Sequence, residues 1–112
     1  MKLTDLDGCF ISQYKDGNFH EQRELSGAQG VMFICPLCQG HMVACWFKNP
    51  IGAEVVPADA EPKPGRWTQS GNGLNDLTLS PSVNLDCKTP EYYQQHPNAC
   101  RWHGWVKNGD AQ

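Results

Sequence analysis

Apolar positions in this chain gather into short runs, separated by polar stretches dense in glycine and proline. Val31-Met32-Phe33-Ile34 and Met42-Val43-Ala44-Cys45-Trp46-Phe47 are near-continuous apolar runs of strand length, and such runs read as buried strands. They flank Cys35-Pro36-Leu37-Cys38-Gln39-Gly40-His41, which predicts a hairpin with that segment at its tip. Residues 9–14 read as an earlier strand closed by the turn cluster Lys15-Asp16-Gly17-Asn18. Residues 19–30 are mostly polar and predict no more than a helical turn over 21–25. Residues 49–65 carry four prolines and two glycines and predict a surface loop.

Beyond that loop, Arg66-Trp67-Thr68-Gln69-Ser70 alternates as a half-buried strand should. Gly71-Asn72-Gly73 and Asn75-Asp76 mark a turn, and Leu77-Thr78-Leu79 is a second strand. Ser80-Pro81-Ser82 breaks the pattern and Val83-Asn84-Leu85 resumes it. Residues 86–98 predict an irregular excursion, and residues 102–106 a last strand ending at Asn108-Gly109, a strong tight-turn pair. The expected fold is mostly β: one small domain over residues 1–112, built of short antiparallel strands and long loops.

Composition narrows the function more than the fold. The chain has 112 residues, 19% charged, with 11 glycines, 8 prolines and 6 cysteines. A formal charge of −3 argues against a nucleic-acid binder that works by neutralising phosphates. No apolar run reaches the ~18–20 residues of a membrane span, and the opening residues lack a secretory signal. The expected compartment is therefore the cytoplasm, where a disulfide framework is disfavoured. Small domains often need a staple, so the cysteines point to a metal.

The strongest chemical signal is Cys35-x2-Cys38 together with Cys100-x2-His103. Two donors two residues apart on a tight turn bind one ion, and two such knuckles complete a tetrahedron around zinc, in the manner of a zinc ribbon. The expected ligands are Cys35, Cys38, Cys100 and His103, with structural zinc favoured over an iron–sulfur cluster. His41 is a rival or supporting group, since Cys38-x2-His41 repeats the same spacing. Cys45, beside Trp46 and Phe47, and Cys9 read as core thiols, and Cys87 has no assigned role. His20 and His96 read as surface histidines. Three of the four tryptophans lie in or beside knuckle strands, which favours packing around the metal over a binding platform.

No catalytic group stands out. Ser80 and Ser82 have no partner base at an evident spacing and read as turn residues bonded to the backbone. Asp76, Asp86, Glu54 and Glu61 are scattered and form no acid–base pair. Gly71-Asn72-Gly73 is too short for a phosphate loop.

Two resemblances arise at these residues. Cys100-Arg101-Trp102-His103-Gly104-Trp105 resembles the second half of a Rieske motif, which implies an iron–sulfur electron carrier. The required Cys-x-His half is missing, since the only upstream pair is Cys38-x2-His41. Nearly the whole chain resembles a family of small phage, prophage and bacterial proteins whose members often carry the label "ammonia monooxygenase". The shared residues are Met1-Lys2-Leu3-Thr4-Asp5-Leu6, 29–36 with Cys38, Gly40-His41, Cys45-Trp46-Phe47, Gly65-Arg66-Trp67, Ser70-Gly71, 76–83 and Cys100-x2-His103. This resemblance implies a metal-binding β domain carried by a phage or prophage and keeps His41 as a ligand candidate. It implies no known reaction, and the 86–98 excursion is longer than the family's usual connection.

The favoured reading is a non-enzymatic, zinc-stabilised module that binds a host or phage protein, with an inhibitor of a host defence complex as one concrete version. The alternatives are a metal-dependent hydrolase with an open zinc position, using His41 and Asp76, and the Rieske-like electron carrier.

Overall fold

The computed structural model describes residues 1–13, 19–22, 24–57, 60, 65–85, 90–97 and 100–112. Its strands are β1 (Cys9–Gln13), β2 (Phe19–Gln22), β3 (Gly30–Ile34), β4 (Met42–Trp46), β5 (Thr68–Ser70), β6 (Thr78–Ser80), β7 (Val83–Leu85), β8 (Trp102–Gly104), β9 (Val106–Lys107) and β10 (Asp110–Ala111). A 3-10 turn occupies Leu3–Leu6, and one short helix, α1, spans Pro90–Gln95. The first four strands form a sheet in the order β2-β1-β3-β4. The others pair as two-stranded ribbons, β5 with β6, β7 with β8 and β9 with β10, all antiparallel.

The mostly β expectation holds, and the β3–β4 hairpin forms with Ile34 opposite Met42, so Cys35 to His41 make its tip. Three local expectations are corrected. Residues 19–22 pair with β1, from Phe10 opposite Gln22 to Gln13 opposite Phe19, instead of turning into a helix. A neighbouring strand that accepts and donates a full ladder outweighs weak intrinsic preference. The 86–98 excursion holds a helix because Pro90, at its first position, has no amide to lose and a φ already suited to helix. The Asn108-Gly109 turn forms as expected, both residues taking positive φ (50° and 76°), but the strand it ends is not the last: the run divides into β8 and β9, and the chain returns as β10. The expected turn at 15–18 lies outside the described residues.

Alternation along β1 sends Phe10 and Ile11 to opposite faces, and both faces are covered. Phe10, Val31, Phe33 and Val43 pack with Leu3, Leu6, Leu77, Leu79, Val83, Trp102 and Val106. Ile11 packs with Trp46, Val56 and Ala60 on the other side. A sheet buried on both faces needs apolar residues at successive positions, which explains the unbroken runs in β3 and β4. The ribbons lie over the first face, and Trp102 of β8 meets Phe33 edge-on, with centroids 5.8 Å apart at 85°. Truncating such a ring costs about 3–5 kcal/mol. The N-terminal ammonium closes the fold, donating to the Ala111 carbonyl at 2.9 Å and pairing with Asp110 at 3.0 Å. Among the described residues, no helix is long and apolar enough to cross a membrane.

Candidate functional site

The hairpin tip gathers the first constellation. The Cys35 amide donates to the His41 carbonyl (2.8 Å) and the Gln39 amide to the Cys35 carbonyl (2.9 Å), closing a tight knuckle. Gln39 takes a φ of 55° within it. That turn brings Cys35, Cys38 and His41 together, and Cys100 joins them from just before β8. Their donor atoms all lie within 4.8 Å of one another.

Cys35 Sγ and Cys100 Sγ stand 3.7 Å apart, too far for a disulfide. The edge of a zinc–thiolate tetrahedron with ~2.3 Å bonds is roughly 3.8 Å, so this spacing fits a shared ion. Cys38 Sγ lies 3.0 Å from His41 Nδ1. The Gly40 amide donates to Cys38 Sγ (3.4 Å), and this bond is the main reason the Cys38 thiol titrates below its usual range. Burial, with the Cys38 and Cys35 thiols beside it, pushes Cys100 up to about 12. Three thiols sharing one space resist joint ionisation, and a divalent cation would remove that cost.

His103 is not in this group. Three of the four expected donors come together, and His41 stands where His103 was expected. The reason is strand geometry. Cys100 precedes β8, whereas His103 lies inside it opposite Asn84, so no second knuckle forms. Val83, Trp102 and Gly104 face the core, and Asn84, His103 and Trp105 face outward. The Rieske-like pairing of Cys100 with His103 on one centre is likewise not seen.

On that outward face, His103 Nε2 lies 3.1 Å from Ser82 Oγ. Sequence spacing offered Ser82 no base, yet the β7–β8 register delivers an imidazole from 21 positions away. The only local hint was outward alternation, polar Ser82 and Asn84 beside apolar Val83. The pairing that completes the site is long-range.

Trp67 holds the serine's backbone: its indole N–H donates to the Ser82 carbonyl at 3.2 Å. Trp67 is itself clamped to the end of β4. Its amide donates to the Trp46 carbonyl (3.0 Å), and the Lys48 amide donates to the Trp67 carbonyl (2.7 Å). On the histidine side, a Cβ at Gly104 would collide with the Gln112 carbonyl, so only glycine fits next to His103. Trp105, two positions beyond His103, is 46% exposed, with Lys107 Nζ 5.3 Å from its ring centroid. Aromatic packing therefore accounts for Trp46, Trp67 and Trp102, which are buried, and not for Trp105.

Other candidates fall elsewhere. Asp76 Oδ1 accepts the Asn72 and Gly73 amides at 2.9 Å each, and these bonds hold its pKa below the usual carboxylate value. That carboxylate serves a turn, away from the cysteine group. Burial raises the Cys45 thiol and, more moderately, Cys9. Cys45 is fully buried as expected, whereas Cys9 is only half-buried. His96 stacks on Tyr92 with centroids 4.2 Å apart. Cys87 and Asp86 lie outside the described residues.

No curated protein and no solved structure matches the chain. Residues 7–112 match the model of the family described as "Bacterial ubiquitination-like system serine protease (BubE)", and the chain belongs to that family.

Proposed function

We propose that this protein is a serine peptidase of a bacterial ubiquitination-like system, with Ser82 as nucleophile and His103 as general base. The observation that carries the reading is the 3.1 Å contact between Ser82 Oγ and His103 Nε2 on an outward face. The family description, which names a serine protease, supports it. A multi-component system of that kind also supports protein partners and a polypeptide substrate.

The chemistry follows from the pair. Ser82 Oγ attacks the scissile carbonyl carbon while its proton passes to His103 Nε2. The imidazolium then gives that proton to the leaving amine as the C–N bond breaks, leaving an acyl ester on Ser82. Water, deprotonated by the same nitrogen, hydrolyses the ester and frees the serine. Within this reading Trp67 sets the position of Ser82, and exposed Trp105 offers a flat wall to the substrate chain.

Cys35, Cys38, His41 and Cys100 form a structural zinc site in this reading. Three thiols and an imidazole suit zinc, and four protein donors leave no position for a reacting water. That donor count weighs against a metal-dependent hydrolase, as does the engagement of Asp76 in its own turn. The whole chain acts as one domain around this pair of sites.

The test is labelling with a fluorophosphonate probe, followed by mass mapping. The expected result is one adduct on Ser82, absent from Ser82→Ala and His103→Ala. Unlabelled wild-type protein that also fails to cleave ubiquitin-like fusions would return the field to a non-catalytic, partner-binding module.

A further inference from the structure

The two halves of the Ser82–His103 pair are anchored by different means. Ser82 is held from the β4 side through Trp67. His103 rides on β8, a three-residue strand that makes three pairings with β7: Val83 with Gly104, Asn84 with His103 and Leu85 with Trp102. Its C-terminal end is tied by the Trp105 and Gln112 amides, each donating to the other's carbonyl (3.2 and 2.9 Å), so the end left to be fixed is the N-terminal one. Among the described residues leading into β8, Glu91, Tyr92, Gln94, Gln95 and His96 are exposed. Immediately before β8, however, Cys100 enters the cluster and meets Cys35 at 3.7 Å, at the end of β3. Two residues further on, Trp102 packs on Phe33, also of β3.

From this arrangement we infer that metal binding by Cys35, Cys38, His41 and Cys100 positions β8 and so sets His103 against Ser82. Cys100 is thus a positioning residue for the base. The inference rests on the peptidase reading for its functional meaning but not for its structural test. A short strand joined to its neighbour by three pairings gains most from a fixed end, because each pairing alone scarcely offsets the entropy of ordering a residue. The sheet core does not depend on the same tether: Phe10, Val31 and Val43 are packed by apolar neighbours well inside the fold. Loss of the ion should therefore loosen the base strand while leaving the nucleophile's anchor and the sheet in place. Activity would then follow metal occupancy without the ion taking part in the reaction.

The experiment uses the full chain loaded with zinc, then stripped by a chelator, then reloaded with zinc alone. Hydrogen exchange is followed over 100–107 and, as reference, over 9–13 and 30–34. The expected result is one zinc per chain and exchange at 100–107 accelerated about tenfold or more on stripping, with the reference strands unchanged and protection restored by zinc. Ser82 labelling should fall in parallel, and in a peptide assay kcat should drop while KM holds. Cys38→Ser, which alters an exposed donor, should show the same pattern in weaker form. Cys100→His, which keeps a donor, should recover more protection than Cys100→Ser.

Unchanged exchange at 100–107 on zinc removal overturns the inference. So does equal loosening of all three segments, and so does a failure to bind zinc. If exchange at β8 follows the metal but the loaded protein never labels at Ser82, the positioning of β8 stands and the peptidase reading falls.

Discussion

The cysteine cluster and the serine–histidine pair lie at the two ends of one short stretch, Cys100 to His103, yet the chain assembles them differently. Three of the cluster's four members sit within seven residues on a single hairpin tip, and only Cys100 arrives from a distance. Neither half of the pair is local to the other; Ser82 lies just before β7 and His103 within β8, and the register of β7 on β8 brings them face to face. A site built on a turn tolerates changes elsewhere. A site built on register does not, because a slip of β8 by one residue would turn His103 toward the core and away from Ser82. The difference predicts that disturbances far from either site will reach the pair first.

The sharpest break is at the nucleophile. Ser82→Ala should lower peptide hydrolysis by about a thousandfold or more, and adding His103→Ala should cost little further, because the two act as one unit. Zinc stoichiometry by metal analysis should be the same in both variants as in the parent. A matched loss of zinc would show that the two regions are a single cooperative site.

Trp67→Phe should come next. It keeps most of the ring and removes the donor to the Ser82 carbonyl, so an effect of about 0.5–1.5 kcal/mol on kcat/KM is expected. Steady-state kinetics alongside thermal melts would check that activity falls more than stability does. Trp105→Ala should act more gently, raising KM by a few-fold, about 1 kcal/mol, with kcat held. A pure kcat effect there would remove Trp105 from the substrate wall and place it in support of β8.

The smallest effect is expected at the exposed ion pair of the N-terminus. The N-terminal ammonium, bonded to Asp110, lowers that carboxyl's pKa below its usual 3.8. A carboxyl depressed in the folded state adds stability above its unfolded pKa and loses it as pH falls through the folded one. Asp110→Asn should therefore melt slightly earlier than the parent near about pH 6, with the gap closing as pH falls below about 3.8. Both partners are well exposed, so the gap is small. A gap that persisted in acid would mean the carboxamide disturbs the β9–β10 hairpin itself.

Much of the first sheet was legible because its signals are local. The runs at 31–34 and 42–47 announce strands buried on both faces, and Cys35-x2-Cys38 between them announces a knuckle. Asn108-Gly109 announced a tight turn for the same reason, since backbone φ preference belongs to the residue itself. β2 was hidden because its polar residues carry little strand preference and depend on β1 for pairing. The short helix was hidden because Pro90 reads equally as a breaker and as a first helical residue.

The site divides along the same line. From residue types and spacing alone came a mostly β chain, a cysteine knuckle at a hairpin tip, and Cys100 as its distant partner. The tertiary structure decided that His41, not His103, stands with those thiols, and that His103 faces Ser82 instead. Spacing could not separate the two histidines, because Cys-x2-His occurs twice and local geometry permits both. The decision lies in the β7–β8 pairing, where one register points His103 out of the sheet toward Ser82 and leaves Cys100 at the strand's edge to meet Cys35.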